Sequence, residues 1–306
     1  MTDMIMRGKV RALIGMLLAA AVTAGCSSSS DGRGTTSGTE PINVVAAENF
    51  YGDIAKQIGG SHVTVTSILS DPDADPHLYE PGTANGAAVA AARLVIDNGV
   101  GYDSFMDKLL DASPDPNRKV VTMADVLHIS ASDANPHLWY DLPHVPQIAA
   151  AIADGLGAVD PANRPYYEAQ ASTFDASLKP LDDAVAQIKA TDAGDPVAYT
   201  EPVPGYLLQA ADLTVETPEA FAIAIEEGNE PSPQAVADMN ALLTGKKIKV
   251  LLYNSQATSP ITEHLLQLAD QNGVPVVPVT ETLPPGKTFQ EWQLGQVQAL
   301  AAALKG

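Results

Sequence analysis

Residues 161–190 read PANRPYYEAQASTFDASLKPLDDAVAQIKA, and this stretch divides the chain into two parts. Apolar side chains recur through it at steps of three, four and seven residues, at Tyr167, Phe174, Leu178, Leu181, Val185 and Ile188. Such steps place side chains on one face of an α-helix, so the pattern predicts one long helix over 161–190. A helix of about 30 residues is roughly 45 Å long. Pro180 should kink or loosen it, because proline removes a backbone hydrogen bond inside a helix.

Short apolar runs lie on both sides of this helix and alternate with helical patterns. We predict strands at 42–46, 63–69, 94–97, 119–122, 196–201, 213–216, 248–253 and 275–279. Alternation of this kind is typical of parallel strands joined by crossover helices. The runs are almost continuously apolar, so we expect most strands to be buried on both faces. The sequence therefore predicts an α/β protein with two βα lobes, at 42–160 and 191–306, joined by the long helix.

The first 25 residues have the pattern of an export signal. Three basic residues among the first eleven precede an uncharged run at 12–24. A positive segment followed by a short apolar segment and small residues is typical of a secretory signal peptide. The apolar run is too short to cross a bilayer core of about 30 Å. We therefore expect the remainder of the chain to work outside the cytoplasm.

Cys26 is the only cysteine of the chain, so it cannot form an internal disulfide. It follows Thr23-Ala24-Gly25, which resembles the lipobox at which bacteria acylate a cysteine and cleave before it, although a lipobox usually has Leu in place of Thr23. The Gly, Ser and Thr-rich residues at 26–41 would form a flexible tether behind a lipid anchor. We predict lipidation at Cys26, and the alternative is a stray cysteine in an ordinary signal peptide.

The charge balance excludes one class of partner. The chain has 17 Lys and Arg against 37 Asp and Glu, a formal net charge of -20. This charge opposes a phosphate backbone and removes the counterion release that drives nucleic-acid binding, so we expect no nucleic-acid partner. Salt screens exposed charges beyond about 10 Å, so acidity alone identifies no ligand.

Two similar histidine motifs carry the chemistry. Residues 75–80 read DPHLYE and residues 135–140 read NPHLWY. In each motif a proline restricts the backbone before the imidazole, and an aromatic residue two positions later can shield the ring from water. A lone histidine is more commonly a core or surface residue, but the shared pattern favours His77 and His137 as a pair of metal ligands.

Two acidic residues follow predicted strands in the second lobe. Glu201 ends the strand predicted at 196–201, and Glu281 follows the strand predicted at 275–279. Ligands of α/β proteins bind outside the carboxyl ends of parallel strands, so we expect both carboxylates at one cleft with the two histidines. Two imidazoles and two carboxylates suit a divalent cation. The absence of a thiolate ligand disfavours Cu(I) and iron–sulfur clusters.

The remaining histidines and acidic residues are weaker candidates for a site. His62, His128, His144 and His264 lie in polar or helix-surface contexts. Glu226, Glu227 and Glu230 form an acidic run that is usually a solvated loop. Asn254 and Ser255 either line the cleft or belong to a turn at the end of a strand.

From Ile42 to Leu304 the sequence resembles the metal-binding lipoproteins of bacterial ABC importers for zinc and manganese. The two histidine motifs carry this resemblance, together with DPANRPYYE at 160–168, EPSPQAVADMNALL at 230–243 and VPVVPVTETL at 274–283. The resemblance implies a two-lobed fold with the metal between the lobes and the long helix along the back. It also places the four ligand roles on His77, His137, Glu201 and Glu281.

The sequence departs from the family pattern at three positions. Asn135 replaces the usual Asp, Glu201 stands where zinc importers have His and manganese importers have Glu, and Glu281 stands where Asp is commoner. The region before His137 also has no His-rich loop of the kind that many zinc importers carry.

The resemblance implies an extracytoplasmic solute-binding protein without catalytic activity. It would capture Zn²⁺ or Mn²⁺ and deliver the ion to a membrane permease driven by a cytoplasmic ATPase. We expect a monomer that is lipid-anchored at the outer face of the cytoplasmic membrane.

Two alternative functions remain at this point. One is a secreted metallohydrolase with a carboxylate as general base, and the other is an adhesin with a structural metal. The choice of cargo also stays open, because the affinity order favours zinc over manganese while the two carboxylates favour a harder ion.

Overall fold

Two four-stranded parallel sheets form the framework of the computed structural model, which describes residues 40–72, 79–130 and 135–306. The first sheet has the order β2-β1-β3-β4, with β1 Ile42–Glu48, β2 Val63–Leu69, β3 Leu94–Asp97 and β4 Lys119–Thr122. The second has the order β6-β5-β7-β8, with β5 Pro196–Tyr199, β6 Thr214–Val215, β7 Val250–Asn254 and β8 Val276–Val279. All neighbouring strands are parallel, so the predicted α/β class with two βα lobes is confirmed.

Burial differs between the central and the edge strands. Every residue of β3 and β7 is buried, whereas both residues of β6 are exposed and β2 alternates between exposed and half-buried positions over its first five residues. The expectation that most strands are buried on both faces is therefore wrong for the edge strands. An edge strand has a neighbour on one side only, and Val63-Thr64-Val65-Thr66 already shows the alternation of a half-covered strand.

Helices cover both sheets. In the first lobe they are α1 Asn49–Gly59, α2 Thr83–Ala91, α3 Phe105–Ala112, α4 Met123–Val126 and α5 Val145–Val159. The connecting helices are α6 Arg164–Ser177 and α7 Lys179–Asp192. In the second lobe they are α8 Gly205–Ala210, α9 Glu219–Glu226, α10 Pro233–Thr244, α11 Pro260–Asn272 and α12 Phe289–Leu304. No helix in these described segments is long and apolar enough to cross a membrane.

Local sequence explains where two of the last helices begin and end. Ser259 and Thr262 form a capping box at the start of α11, and Thr288 and Glu291 form another at the start of α12. Each box satisfies amide groups that have no partner within the helix. Gly273 ends α11 in the left-handed conformation (φ 66°), which glycine adopts without steric cost.

The stretch 161–190 forms two consecutive helices instead of the single helix predicted. After a short 3₁₀ turn at Pro161–Asn163, α6 ends at Ser177 and α7 begins at Lys179, with Leu178 between them. Pro180 therefore lies in the first turn of α7, where its missing N–H would have no helical partner. The predicted loosening beside Pro180 is thus confirmed as a one-residue interruption at Leu178, whose backbone stays helical.

The two connecting helices nevertheless present the predicted apolar face to both lobes. All six periodic residues of this stretch are at most 8% exposed. Helix α6 contacts α1 and α5 of the first lobe, and α7 contacts α12 of the second. Because these side chains belong to one apolar core that includes residues of both sheets, the two lobes are joined by packing as well as by the chain.

Candidate metal centre

Two carboxylates lie just beyond strand ends of the second sheet. Glu201 comes two residues after β5, and Glu281 two residues after β8. Their exposed fractions are 1% and 0%. Strand β7 lies between β5 and β8, and its last residue, Asn254, donates its side-chain amide to both carboxylates. The distance from Asn254 Nδ2 to Glu281 Oε1 is 2.7 Å. One amide therefore holds both predicted acidic ligands in place.

The histidine of the second motif faces one of these carboxylates. His137 is fully buried, and its Nε2 lies 3.5 Å from Glu281 Oε2. Its Nδ1 lies 2.7 Å from the side-chain oxygen of Asn135. With Nδ1–H as the donor, Nε2 carries the lone pair that could bind a cation. This is the usual way in which a second polar residue orients a metal-binding histidine.

Asn135 performs this role although it replaces the Asp of the family pattern. Its Oδ1 also accepts from the amide of His137, and its Nδ2 donates 2.7 Å to the carbonyl of Pro202 in the second lobe. Gly205 permits this approach, because a Cβ there would lie only 2.7 Å from Asn135 Nδ2. The amide thus links the histidine motif to the segment that follows Glu201.

Tyr102 contributes a side chain of the first lobe to the same site. It lies in the loop between β3 and α3, and its hydroxyl donates 2.8 Å to Glu281 Oε2. Its ring meets that of His137 edge to face at 5.7 Å between centroids. Burial, together with the charge of Glu281, raises the pKa of Tyr102 well above its ordinary value. The phenol therefore stays protonated and acts as a donor.

The environment of His137 is electrostatically negative. Burial of the ring lowers its pKa, but the carboxylates of Glu226 and Glu281 raise it and prevail, so the pKa of His137 lies above its ordinary value. A neighbourhood that attracts a proton to this imidazole attracts any small cation.

Two predicted site residues lie outside the described part of the chain. They are His77 and Cys26. A hydrogen bond fixes the chain on each side of 73–78. Gln256 Nε2 donates 2.9 Å to the carbonyl of Pro72, and the hydroxyl of Tyr79 donates 3.1 Å to the carbonyl of Ile68. Within the described residues, no group of three or more His, Cys, Asp or Glu side chains is arranged to hold a metal ion. The four-ligand set therefore stays a prediction.

The structure adds to the site a residue for which the acidic run predicts a solvated loop. Glu226 ends α9, and its Oε1 lies 3.8 Å from Nε2 of His137. Glu227 and Glu230 are exposed, as predicted for that run. The assignment of Glu226 was wrong because α9 turns its last residue toward a histidine that is far away in the sequence. Of the two polar residues left open, Asn254 lines the site, whereas Ser255 is exposed and donates 3.1 Å to the carbonyl of Val279.

Comparison with known proteins agrees with the fold. Residues 44–303 match the model of the family described as the periplasmic component A of the zinc-uptake complex, ZnuA. The manganese-binding lipoprotein MntA of Halalkalibacterium halodurans is 28% identical over 170 residues, which cover 55% of this chain and 56% of that protein. The metal ABC transporter substrate-binding lipoprotein ScbA of Streptococcus cristatus is 27% identical over 261 residues, 81% of this chain and 82% of that protein.

A solved structure has the same architecture. The periplasmic zinc-binding protein TroA of Treponema pallidum superposes with a TM-score of 0.72 at 19% identity, covering 87% of this chain and 99% of that one. The family match places this two-lobed α/β molecule in the class of extracytoplasmic solute-binding proteins rather than enzymes. Since the match spans most of its length, the chain belongs to the ZnuA family.

Proposed function

We propose that this protein captures a divalent transition-metal ion, zinc or manganese, outside the cytoplasm and delivers it to an ABC importer composed of a permease and an ATPase. One observation carries the proposal. A fully buried imidazole nitrogen of His137 faces the carboxylate of Glu281, whose other oxygen shares one amide with Glu201. The names of the relatives and membership of the family support the same function over a metallohydrolase or an adhesin.

We assign the ligand roles to His77, His137, Glu201 and Glu281. The two carboxylates would neutralise a divalent charge, and imidazole and carboxylate together suit both zinc and manganese. The four residues come from both lobes. Binding should therefore join segments on both sides of α6 and α7.

The test is metal binding by chelator-stripped protein. We expect close to one equivalent of Zn²⁺ or Mn²⁺ per chain by plasma mass spectrometry after desalting, and competition titration ranks the two ions. Glu281→Gln should abolish retention of the metal, whereas Glu263→Gln, an exposed acid on α11, should retain it. The proposed function would be refuted if the parent chain binds neither Zn²⁺ nor Mn²⁺.

We also propose that the chain is a lipid-anchored monomer at the outer face of the cytoplasmic membrane. Cys26 beside a lipobox-like stretch supports the anchor. A diacylated cysteine would provide the two or more acyl chains that stable attachment to a membrane requires. Cys26→Ser should release the protein from membranes and abolish labelling with a fatty-acid probe. An unlabelled parent chain would exclude the anchor, and light scattering of the released form measures its oligomeric state.

A further inference from the structure

A pocket in the second lobe opens beside the candidate metal centre. Its volume is about 620 Å³, and it lies between the end of α9 and the start of α11. Four carboxylate residues line it, Glu201, Glu226, Glu227 and Glu230, and no basic residue is among the described residues that form its wall. The pocket therefore combines access from solvent with a concentration of negative charge.

Glu226 lies at the boundary between this pocket and the buried histidine. Its side chain is 15% exposed, and its Oε1 is 3.8 Å from Nε2 of His137, whose side chain is 0% exposed. The second oxygen of Glu226 is buried and has no hydrogen-bond partner within the described part of the chain. Glu226 thus lines the pocket, and its carboxylate also faces the imidazole of His137.

The nitrogen of His137 supplies an independent indication of the ligand. Nε2 is buried and makes no hydrogen bond to any described residue. A buried polar atom without a hydrogen bond is rare and destabilises the fold, so such an atom suggests a ligand. Since carboxylate oxygens of Glu226 and Glu281 both lie within 4 Å of this nitrogen, the ligand that suits this position is a cation.

We propose that the pocket is the entrance of the metal site and that Glu226 is its transfer carboxylate, which binds the divalent cation first and passes it to His137 and Glu281. This inference rests on the proposed function and assigns a role in uptake to a residue outside the four predicted ligands. A cleft lined by charges of one sign raises the local concentration of counterions and can accelerate association about tenfold or more. Glu227 and Glu230 are exposed, so their contribution should be one of long-range attraction that salt removes.

The test separates the rate of uptake from affinity. Chelator-stripped protein is mixed rapidly with ZnCl₂ or MnCl₂, and a fluorescent indicator reports the free cation. We expect Glu226→Gln to lower the association rate constant about tenfold, and Glu226→Asp, which keeps the charge, to restore most of it. The double variant Glu227→Gln/Glu230→Gln should lower the rate two- to threefold at low salt and not at 0.5 M NaCl.

The matched control is Glu219→Gln, an exposed acid two turns earlier on α9. It changes the net charge equally and should leave the rate unchanged. Uptake by Glu226→Gln at the parent rate, or equal losses in the Gln and Asp variants, would overturn the inference while the parent still binds metal. If the parent binds neither cation, the proposed function itself fails. Thermal unfolding of each variant shows whether it is folded.

Discussion

At the scale of single residues, His137 depends on its neighbours for its chemistry. The side-chain oxygen of Asn135 hydrogen-bonds to its Nδ1, and the carboxylates of Glu281 and Glu226 face its Nε2. His144 offers a contrast in the same part of the chain, since its side chain is 56% exposed and lies 2.7 Å from Asp141. A histidine that is buried and oriented is prepared to bind a cation, whereas an exposed one pairs with a local acid.

His137→Ala should therefore weaken zinc or manganese binding at least about a hundredfold, because it removes an oriented ligand. His144→Ala should leave the affinity within about twofold of the parent. Isothermal titration of both variants decides the matter. Equal affinities would show that the histidine motif has no role in binding.

Asp97 provides a second effect at residue scale. It ends β3 with an exposed fraction of 6%. Burial raises the pKa of its carboxyl to about 7, assisted by the charge of Asp103 and opposed by a hydrogen bond with Thr122. The folded protein therefore binds a proton at Asp97 more tightly than the unfolded chain, whose Asp titrates near 3.9. Stability is then lost as the pH rises from about 4 to about 7.

Asp97→Asn should remove this loss and make the protein more stable than the parent above pH 7, by roughly 4 kcal/mol at most. At pH 4 the two proteins should differ little. Urea unfolding at pH 4, 6 and 8 measures the effect, and Asp111→Asn on the exposed face of α3 is the control. A difference that does not change with pH would mean that folding does not raise the pKa of Asp97.

At the scale of secondary-structure elements, Gln256 joins three segments around the site. Its Oε1 accepts from the amides of Glu281 and Thr282, at 2.6 and 3.0 Å. Its Nε2 donates 2.9 Å to the carbonyl of Pro72, directly before the segment that contains His77. The chain after β7 thus positions the chain after β8 and the chain after β2.

Gln256→Ala should lower metal affinity about tenfold, since supporting residues around a metal site typically contribute 10- to 100-fold. It should also lower the free energy of unfolding by about 1–3 kcal/mol, because two amides lose their acceptor. Gln271→Ala, at an exposed position of α11, is the matched control. Chemical unfolding and metal titration are read together, and unchanged affinity with reduced stability would show a structural role alone.

At the scale of the whole molecule, the site brings the two halves of the chain together. Tyr102 and His137 precede α6 and α7, while Glu201 and Glu281 follow them. Contacts away from the site also connect the lobes, such as the reciprocal pair between the side chain of Asn49 and the backbone of Leu283, both at 2.8 Å. A bound ion would add a further connection between the lobes.

Metal should therefore raise the thermal unfolding midpoint. A ligand that binds only the folded state adds about 4 kcal/mol at a thousandfold excess over Kd. The rise at pH 7.5 should shrink at pH 5, because protons compete for imidazoles and the pKa of His137 is already raised. Calorimetry with Zn²⁺ and Mn²⁺ measures this, with Glu281→Gln as control. A thermal unfolding midpoint that neither metal changes at pH 7.5 would contradict metal capture.

Local sequence alone predicts the alternation of strands and helices, the apolar face of 161–190, and the placement of Glu201 and Glu281 at the ends of β5 and β8. These features follow from local periodicity and from the rule that parallel strands end at one edge of the sheet. The exposure of the edge strands and the positions of Glu226 and Tyr102 follow only from the folded arrangement of the chain. Each depends on contacts between segments distant in the chain, such as α9 against His137, and local sequence patterns do not record which segments meet.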